Sequence, residues 1–263
     1  MIVFGKNPVI EALRSGRSVE KVLIAHDSHP PHQVLKLCRE RNIKVQKVPR
    51  QKIEELAGTK KTQGILAMLS PVEYVHPEKL FRETLNRSSF FLTLDHITDP
   101  QNVGNLLRTC EVFGGVGALI PKDRACPINE TVVKASAGAI FHLMLSKVGS
   151  LSKSLRVFKE MGGWVLAVER GGKDIREFDF PGACTLVLGS EGDGVSKSVL
   201  DVADAVISIP MLGKVNSLNV SSAGAIAMWQ FLVKTLDKLQ GVGYNIKPTV
   251  VKGGAEIGPV GKT

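Results

Sequence analysis

From Phe90 onward the chain carries five short, strongly apolar runs: FFLTL, GALIP from Gly117, WVLAV from Trp164, CTLVLG from Cys184 and AVISIP from Ala205. Stretches of helical length and pattern separate them. This alternation constrains the fold more than any other feature. A strand that is apolar on both sides must be covered on both faces, and strands joined through helices run parallel. The expectation is therefore an α/β fold with a mainly parallel sheet.

Residues 2–70 read as a smaller α/β unit. Asn7-Pro8 opens a helix, with proline tolerated in the first turn. KVLIA from Lys21 is a short strand, and Pro31 to Arg41 a helix with Val34, Leu35, Leu37 and Cys38 on one side. IKVQKV from Ile43 alternates as a half-exposed strand. A helix over Gln51–Leu56 and a strand over Gly64–Leu69 complete the unit. The organisation expected is 1–72 as one domain, 73–88 as a linker with a short helix, 89–240 as a second domain, and 241–263 as a flexible, glycine-rich tail. The tail's GKT is no phosphate-binding loop, because Glu256 stands where the first glycine is required and no helix follows.

Charge is unevenly distributed. Residues 1–85 hold fifteen basic and nine acidic side chains, a surplus of +6, whereas residues 86–240 hold sixteen and fifteen. A basic module beside a near-neutral one suggests polyanion docking next to chemistry, although basic segments also serve only for solubility. Aromatics are 5% of the chain, so few rings are available to stack on single-stranded bases. Folded RNA, gripped by backbone and shape, is the expected partner.

Other classes are disfavoured. The longest apolar-rich run, AGAIAMWQFLV from Ala223, is about half of the ~20 residues that a membrane span needs. The N-terminus lacks a basic stretch followed by an apolar one, so a cytoplasmic protein is expected. Cys38, Cys110, Cys126 and Cys184 form no CxxC and have no histidine at zinc spacing. They are expected to be small buried thiols, with no metal.

Three segments could carry chemistry. In LDHITDPQNVGNLLRTCEVFG, from Leu94, Asp99 suits an N-cap and Pro100 the first helical position. Gln101, Asn105 and Arg108 share one face, with Asn102 beside them. Open α/β sheets bind ligands at the carboxyl ends of strands, yet this alone could be an ordinary amphipathic helix. In LVLGSEGDGVSKSVL, from Leu186, a buried strand runs into a glycine-rich loop with Glu191 at its centre. The spacing is not that of a dinucleotide fingerprint, which disfavours a nucleotide-dependent oxidoreductase. In ISIPMLGKVNSLNVSSAGAIAMW, from Ile207, Ser217 or Asn219 can cap a long helix, and the small residues Ser221 to Ala225 allow close backbone packing.

In order and spacing, DPQNVGNLLR, LVLGSEGDG and ISIPM with SLNVSSAGAI resemble the SpoU family of RNA 2′-O-methyltransferases, within the SPOUT superfamily. The match runs from about Leu92 to Leu236. VFGKNPVIEALRSGRSVEKVLIA, with TQGI at Thr62, is similar to the RNA-binding domain of the subgroup that methylates a guanosine of 23S rRNA. The resemblance implies a C-terminal trefoil knot, a homodimer, and S-adenosyl-L-methionine held by Gly189, Ile209 and Leu218 through backbone groups. It implies a catalytic set of Arg108, Asn102, Glu191, Ser217 and Asn219.

The expected reaction is in-line attack of a ribose 2′-oxygen on a sulfonium methyl, with no metal because the leaving thioether is neutral. A guanidinium is almost always charged, so Arg108 is expected to clamp a phosphate and stabilise charge on the 2′-oxygen. Glu191 is expected to orient Arg108 or the nucleotide. A tRNA substrate, or a non-catalytic RNA-binding or ribosome-assembly protein, are the alternatives.

Overall fold

The computed structural model of the chain describes residues 1–15, 19–69, 72–215 and 217–239. The tail expected over 241–263 lies outside them. In chain order the elements are β1 (Ile2–Phe4), α1 (Lys6–Arg14), β2 (Val19–Ala25), α2 (His32–Glu40), β3 (Lys44–Val48), α3 (Arg50–Ala57), β4 (Ile65–Leu69) and α4 (Pro77–Asn86). There follow β5 (Phe90–Leu94), α5 (Pro100–Val112), β6 (Gly117–Pro121), α6 (Glu130–Ala135), a 3-10 turn (Ala139–His142), β7 (Met144–Val148), α7 (Leu151–Glu160) and β8 (Trp164–Asp174). The chain closes with β9 (Cys184–Leu188), α8 (Lys197–Leu200), β10 (Ala205–Ser208) and α9 (Val220–Leu239).

Two sheets result. The first has the order β1-β4-β2-β3, with β4 antiparallel to both neighbours and β2 parallel to β3. The second has the order β10-β8-β9-β5-β6-β7 and is parallel at every pairing. The α/β architecture with a parallel main sheet is thus as the apolar runs require. Three strands depart from expectation. β3 is not half-exposed: Lys44 to Lys47 are all exposed, and only Val48 is buried, because β3 is an edge strand. β7 is a sixth strand in the main sheet. Ser146 and Lys147 interrupt its apolar pattern, which an edge position tolerates. β8 does not stop at Val168 but continues to Asp174. Its polar second half pairs with β10 across a register shift at Val206/Ile207, where Gly172 lies so close to the β10 backbone that a side chain would not fit.

Strand periodicity divides the core. Phe90, Leu92 and Leu94 face one side, with Leu106 of α5 and Met228 and Phe231 of α9. Phe91 faces the other, in a triangle with Phe81 of α4 and Phe158 of α7 whose ring centroids are 4.9–5.6 Å apart. Thr93 and Thr185, fully buried on neighbouring strands, satisfy each other with a 2.8 Å hydroxyl–hydroxyl bond. All four cysteines are buried and free, and burial pushes the Cys110 and Cys184 thiols well above the usual thiol range. α9 packs on α5 and β9 because Gly224 faces Leu106 and Leu188; a methyl there would collide with Leu106.

The first core extends without a break into α1 through Val9, Ile10 and Leu13. Polar contacts reinforce that junction. Ile2 N donates to Glu130 Oε1 at 3.2 Å, the Lys134 ammonium lies 5.0 Å from the Phe4 ring centre, and His142 Nε2 is 3.0 Å from Glu11 Oε2. Among the described residues no helix is long and apolar enough to cross a membrane, and no three His, Cys, Asp or Glu side chains cluster as metal ligands.

Candidate active site

The carboxyl ends of β5, β8, β9 and β10 point the same way in the parallel sheet, and the loops that leave them meet. Asp99 caps α5 as its type and position suggest: Oδ2 accepts from Asn102 N at 2.8 Å, and Pro100 follows. That bond fixes Asn102, which is buried at 7% exposure. Asn102 Nδ2 donates to Glu191 Oε1 at 2.9 Å. Asn219 Nδ2 donates to the same oxygen at 2.8 Å and to Asn102 Oδ1 at 3.0 Å. A carboxylate only accepts, so both amide nitrogens must face it. Residues 102, 191 and 219, far apart in sequence, close into one hydrogen-bonded triangle. Asn219 also caps α9, its Oδ1 accepting from Ser221 N at 2.9 Å.

Beside the triangle lies a cavity of about 180 Å³. Gly189, Ile209 and Leu218 all line it, as do Glu191 and Ser217. Leu188, Val168 and Val220 supply apolar wall. The glycine loop forms its rim. Ser190 and Gly194 bond backbone to backbone in both directions, at 3.2 and 3.0 Å, and a Cβ on Gly189 would strike the Gly194 backbone. Gly194 has φ +69°, and a Cβ there would run into the Glu169 carboxylate.

Two further carboxylates hold this loop. Glu169 Oε2, on the same cavity, accepts from Val195 N at 3.0 Å. The fully buried Asp95 accepts from Ser196 N at 2.7 Å through Oδ2. Neither was expected to take part. The signal was available, since each follows an apolar run, at the carboxyl end where Glu191 also stands.

Arg108 is placed elsewhere. It follows Asn102 by six residues, about 9 Å along the helix axis at 1.5 Å per residue, and it is exposed on a second cavity with Asn7, Arg14 and Glu111. Glu191 therefore does not orient Arg108 within one chain; its partners are Asn102 and Asn219.

Comparison with known proteins bears on this arrangement. The model of the SpoU rRNA methylase family matches residues 89–229, the span that contains the triangle and its cavity. The chain belongs to the SpoU rRNA methylase family. A second family model, for RNA 2′-O ribose methyltransferase substrate binding, matches residues 2–75. A protein of Bacillus subtilis (strain 168), named as a TrmH family tRNA/rRNA methyltransferase, is 38% identical over 87% of this chain and 93% of its own length. One from Staphylococcus aureus (strain MSSA476), named for the same family, is 35% identical over 90% and 97%. Among solved structures, the SpoU methyltransferase AviRb of Streptomyces viridochromogenes, in complex with AdoMet, aligns with TM-score 0.77 at 19% identity, over 90% of this chain and 91% of that one. An AdoMet-bound rRNA methyltransferase of Sinorhizobium meliloti aligns with TM-score 0.73 at 22% identity, over 87% and 85%. These two likenesses establish the SPOUT-type fold of this SpoU family member.

Proposed function

We propose that this SpoU family protein transfers a methyl group from S-adenosyl-L-methionine to the 2′-oxygen of a ribose in RNA, with a guanosine of 23S rRNA as target. The observation that carries the reading is the Asn102–Glu191–Asn219 triangle set against the cavity lined by Gly189, Ile209 and Leu218.

The residues fit the cofactor. The absence of a Cβ at Gly189 lets the Gly194 backbone close over it and shape the loop, and the backbone groups of Gly189, Ile209 and Leu218 would hold the nucleoside part. Leu188, Ile209 and Val220 offer an apolar wall for a heterocycle, and Glu169, Glu191 and Asp193 place negative charge around a cationic group. When bound, S-adenosyl-L-methionine supplies a methyl group that is electrophilic without a metal. The enzyme's part is orientation, which can contribute up to about 7–11 kcal/mol. Glu191 Oε1 is taken by two amide donors, which leaves Oε2 to accept from the ribose 2′-hydroxyl. Asn102 and Asn219 lock that carboxylate, and Ser217 lines the cavity beside it. The O2′–C bond forms as the S–C bond breaks, and the 2′-proton passes to water. Arg108 clamps a phosphate of the RNA.

We further infer that residues 1–72, with their basic surplus, bind RNA while 89–240 perform the transfer. β10 at the sheet edge followed by α9 returning onto β9 and α5 is the chain order expected of a trefoil knot. Half-exposed to exposed Phe113, just after α5, and Ile226 and Trp229 on α9 suit a joint with a second copy, with the Phe113 and Trp229 rings 5.8 Å apart. The location expected is the cytoplasm.

The test is transfer of radiolabelled methyl to 23S rRNA fragments and, separately, to tRNA. Alkali-resistant linkages in the rRNA fragments alone are the expected result. Label confined to tRNA overturns the target, and no transfer to either RNA overturns the activity.

A further inference from the structure

The fully buried Asp95 has one carboxylate oxygen at work and one without a donor. It stands just past β5, where the β5–β9 ladder ends, and it touches both ends of the loop that carries Glu191. Its backbone N donates to Leu188 O at 2.8 Å, where β9 enters the loop, and its Oδ2 accepts from Ser196 N at 2.7 Å, where the loop leaves. Oδ1 is shut away from solvent, yet it accepts no hydrogen bond among the described residues. Buried carboxylate oxygens are rarely left so.

What stands against Oδ1 is the ring of His96. Its Nδ1 lies 2.6 Å away, close enough for an ion pair but off the line of a hydrogen bond. Chain neighbours in an extended strand point to opposite faces, so this contact requires a turn of the backbone. His96 makes that turn with φ +59°, in the left-handed region that glycine enters freely and a side chain enters at a cost. Ile97 then returns to the buried core, and its carbonyl accepts from Cys126 N at 3.1 Å, which fixes the turn from the far side. A glycine would satisfy the backbone here. What the histidine adds is a group that faces Oδ1.

A carboxylate that rotates to find a donor for Oδ1 lets go of Ser196 N. Of the two carboxylates at the loop exit, Glu169 at Val195 then remains. Glu191, in the same loop, loses its fixed seat against Asn102 and Asn219. Misplacing a reacting group by about 1 Å can cost about 10²-fold in rate. We propose that His96 is a positioning residue for methyl transfer: its ring holds Asp95 in the rotamer that clasps the glycine loop, and so sets Glu191 against the ribose. The proposal rests on the transfer reading above and adds to it a residue that lines neither of the two cavities described.

Substitutions at this position separate the ring from the turn. His96→Gly keeps the left-handed turn without the ring. His96→Asn also tolerates the turn and puts Nδ2 where Nδ1 stood, as a donor for Oδ1. His96→Asp sets a second carboxylate against Asp95. Each full-length variant is followed by hydrogen exchange at the Ser196 amide with no RNA present, and by steady-state methyl transfer from S-adenosyl-L-methionine to RNA. His96→Gly is expected to melt no lower than wild type, to exchange the Ser196 amide about tenfold faster, and to lose about tenfold in kcat with KM for RNA unchanged. His96→Asn is expected to restore both readouts, and His96→Asp to disturb both more than glycine does. Wild-type exchange and kcat in His96→Gly overturn the proposal. So does faster exchange with an unchanged kcat, or failure of His96→Asn to recover what glycine loses. A wild-type chain that transfers no methyl overturns the activity, and Ser196 exchange then still decides whether the ring holds the clasp.

Discussion

Asn219 does three jobs at once, and they can be separated. Asn219→Ala removes the N-cap acceptor of α9, worth about 1 kcal/mol. It removes a hydrogen bond to the Glu191 carboxylate, about 1.5 kcal/mol because the pair is exposed and sits at the low end for charged partners. It also removes the bond to Asn102, about 0.5–1 kcal/mol. The combined loss is about 3 kcal/mol, divided between stability and cofactor affinity. Asn219→Asp retains the cap acceptor and adds negative charge at a helix N-terminus, where it is favourable. It also sets a second carboxylate against Glu191, a repulsion of ~1–4 kcal/mol at about 4 Å for effective dielectrics between water and the protein surface. Asn219→Asp should therefore keep most of the thermal stability that the alanine variant loses, yet bind S-adenosyl-L-methionine at least tenfold more weakly by calorimetry. Adding Glu191→Gln reverses donor and acceptor and should recover part of that affinity, a coupling that a double-mutant cycle measures. Wild-type affinity in Asn219→Asp would refute the argument and reduce Asn219 to a helix cap.

Glu169→Ala should free the loop around Gly194 by deleting the acceptor of Val195 N, a bond of about 1.5–3 kcal/mol, and weaken cofactor binding about 10–100-fold in the same titration. Cys110 and Cys184 should resist a thiol reagent at pH 8 until denaturant is added; rapid native-state labelling would contradict their burial. Their raised native pKa values mean that the unfolded chain ionises first, above about pH 8.5. Stability measured by urea unfolding is then intact below that pH and falls above it, by up to about 1.4 kcal/mol per unit for each thiol. Trp229→Glu should lower the sedimentation mass to that of one chain if α5 and α9 form the joint with a second copy.

What was legible in the sequence is what depends on neighbours in the chain. Apolar runs such as FFLTL and CTLVL mark doubly covered parallel strands, because a strand buried on both faces cannot alternate. Asp99-Pro100 marks a helix start, because capping is satisfied within three residues. β7 and the far half of β8 escaped because their pairing is set by partners elsewhere in the sheet, which overrides weak local patterns.

The sequence by itself determined which residues the three motif segments contain and that their loops leave the same ends of parallel strands. Only the tertiary structure decided who meets whom: Glu191 with Asn102 and Asn219, Glu169 with the loop it holds, and the Arg108 face of α5 with the small N-terminal unit. A helix face is readable from a spacing of three or four. The element that a face opposes is set by how whole sheets and helices pack, and no local spacing encodes it.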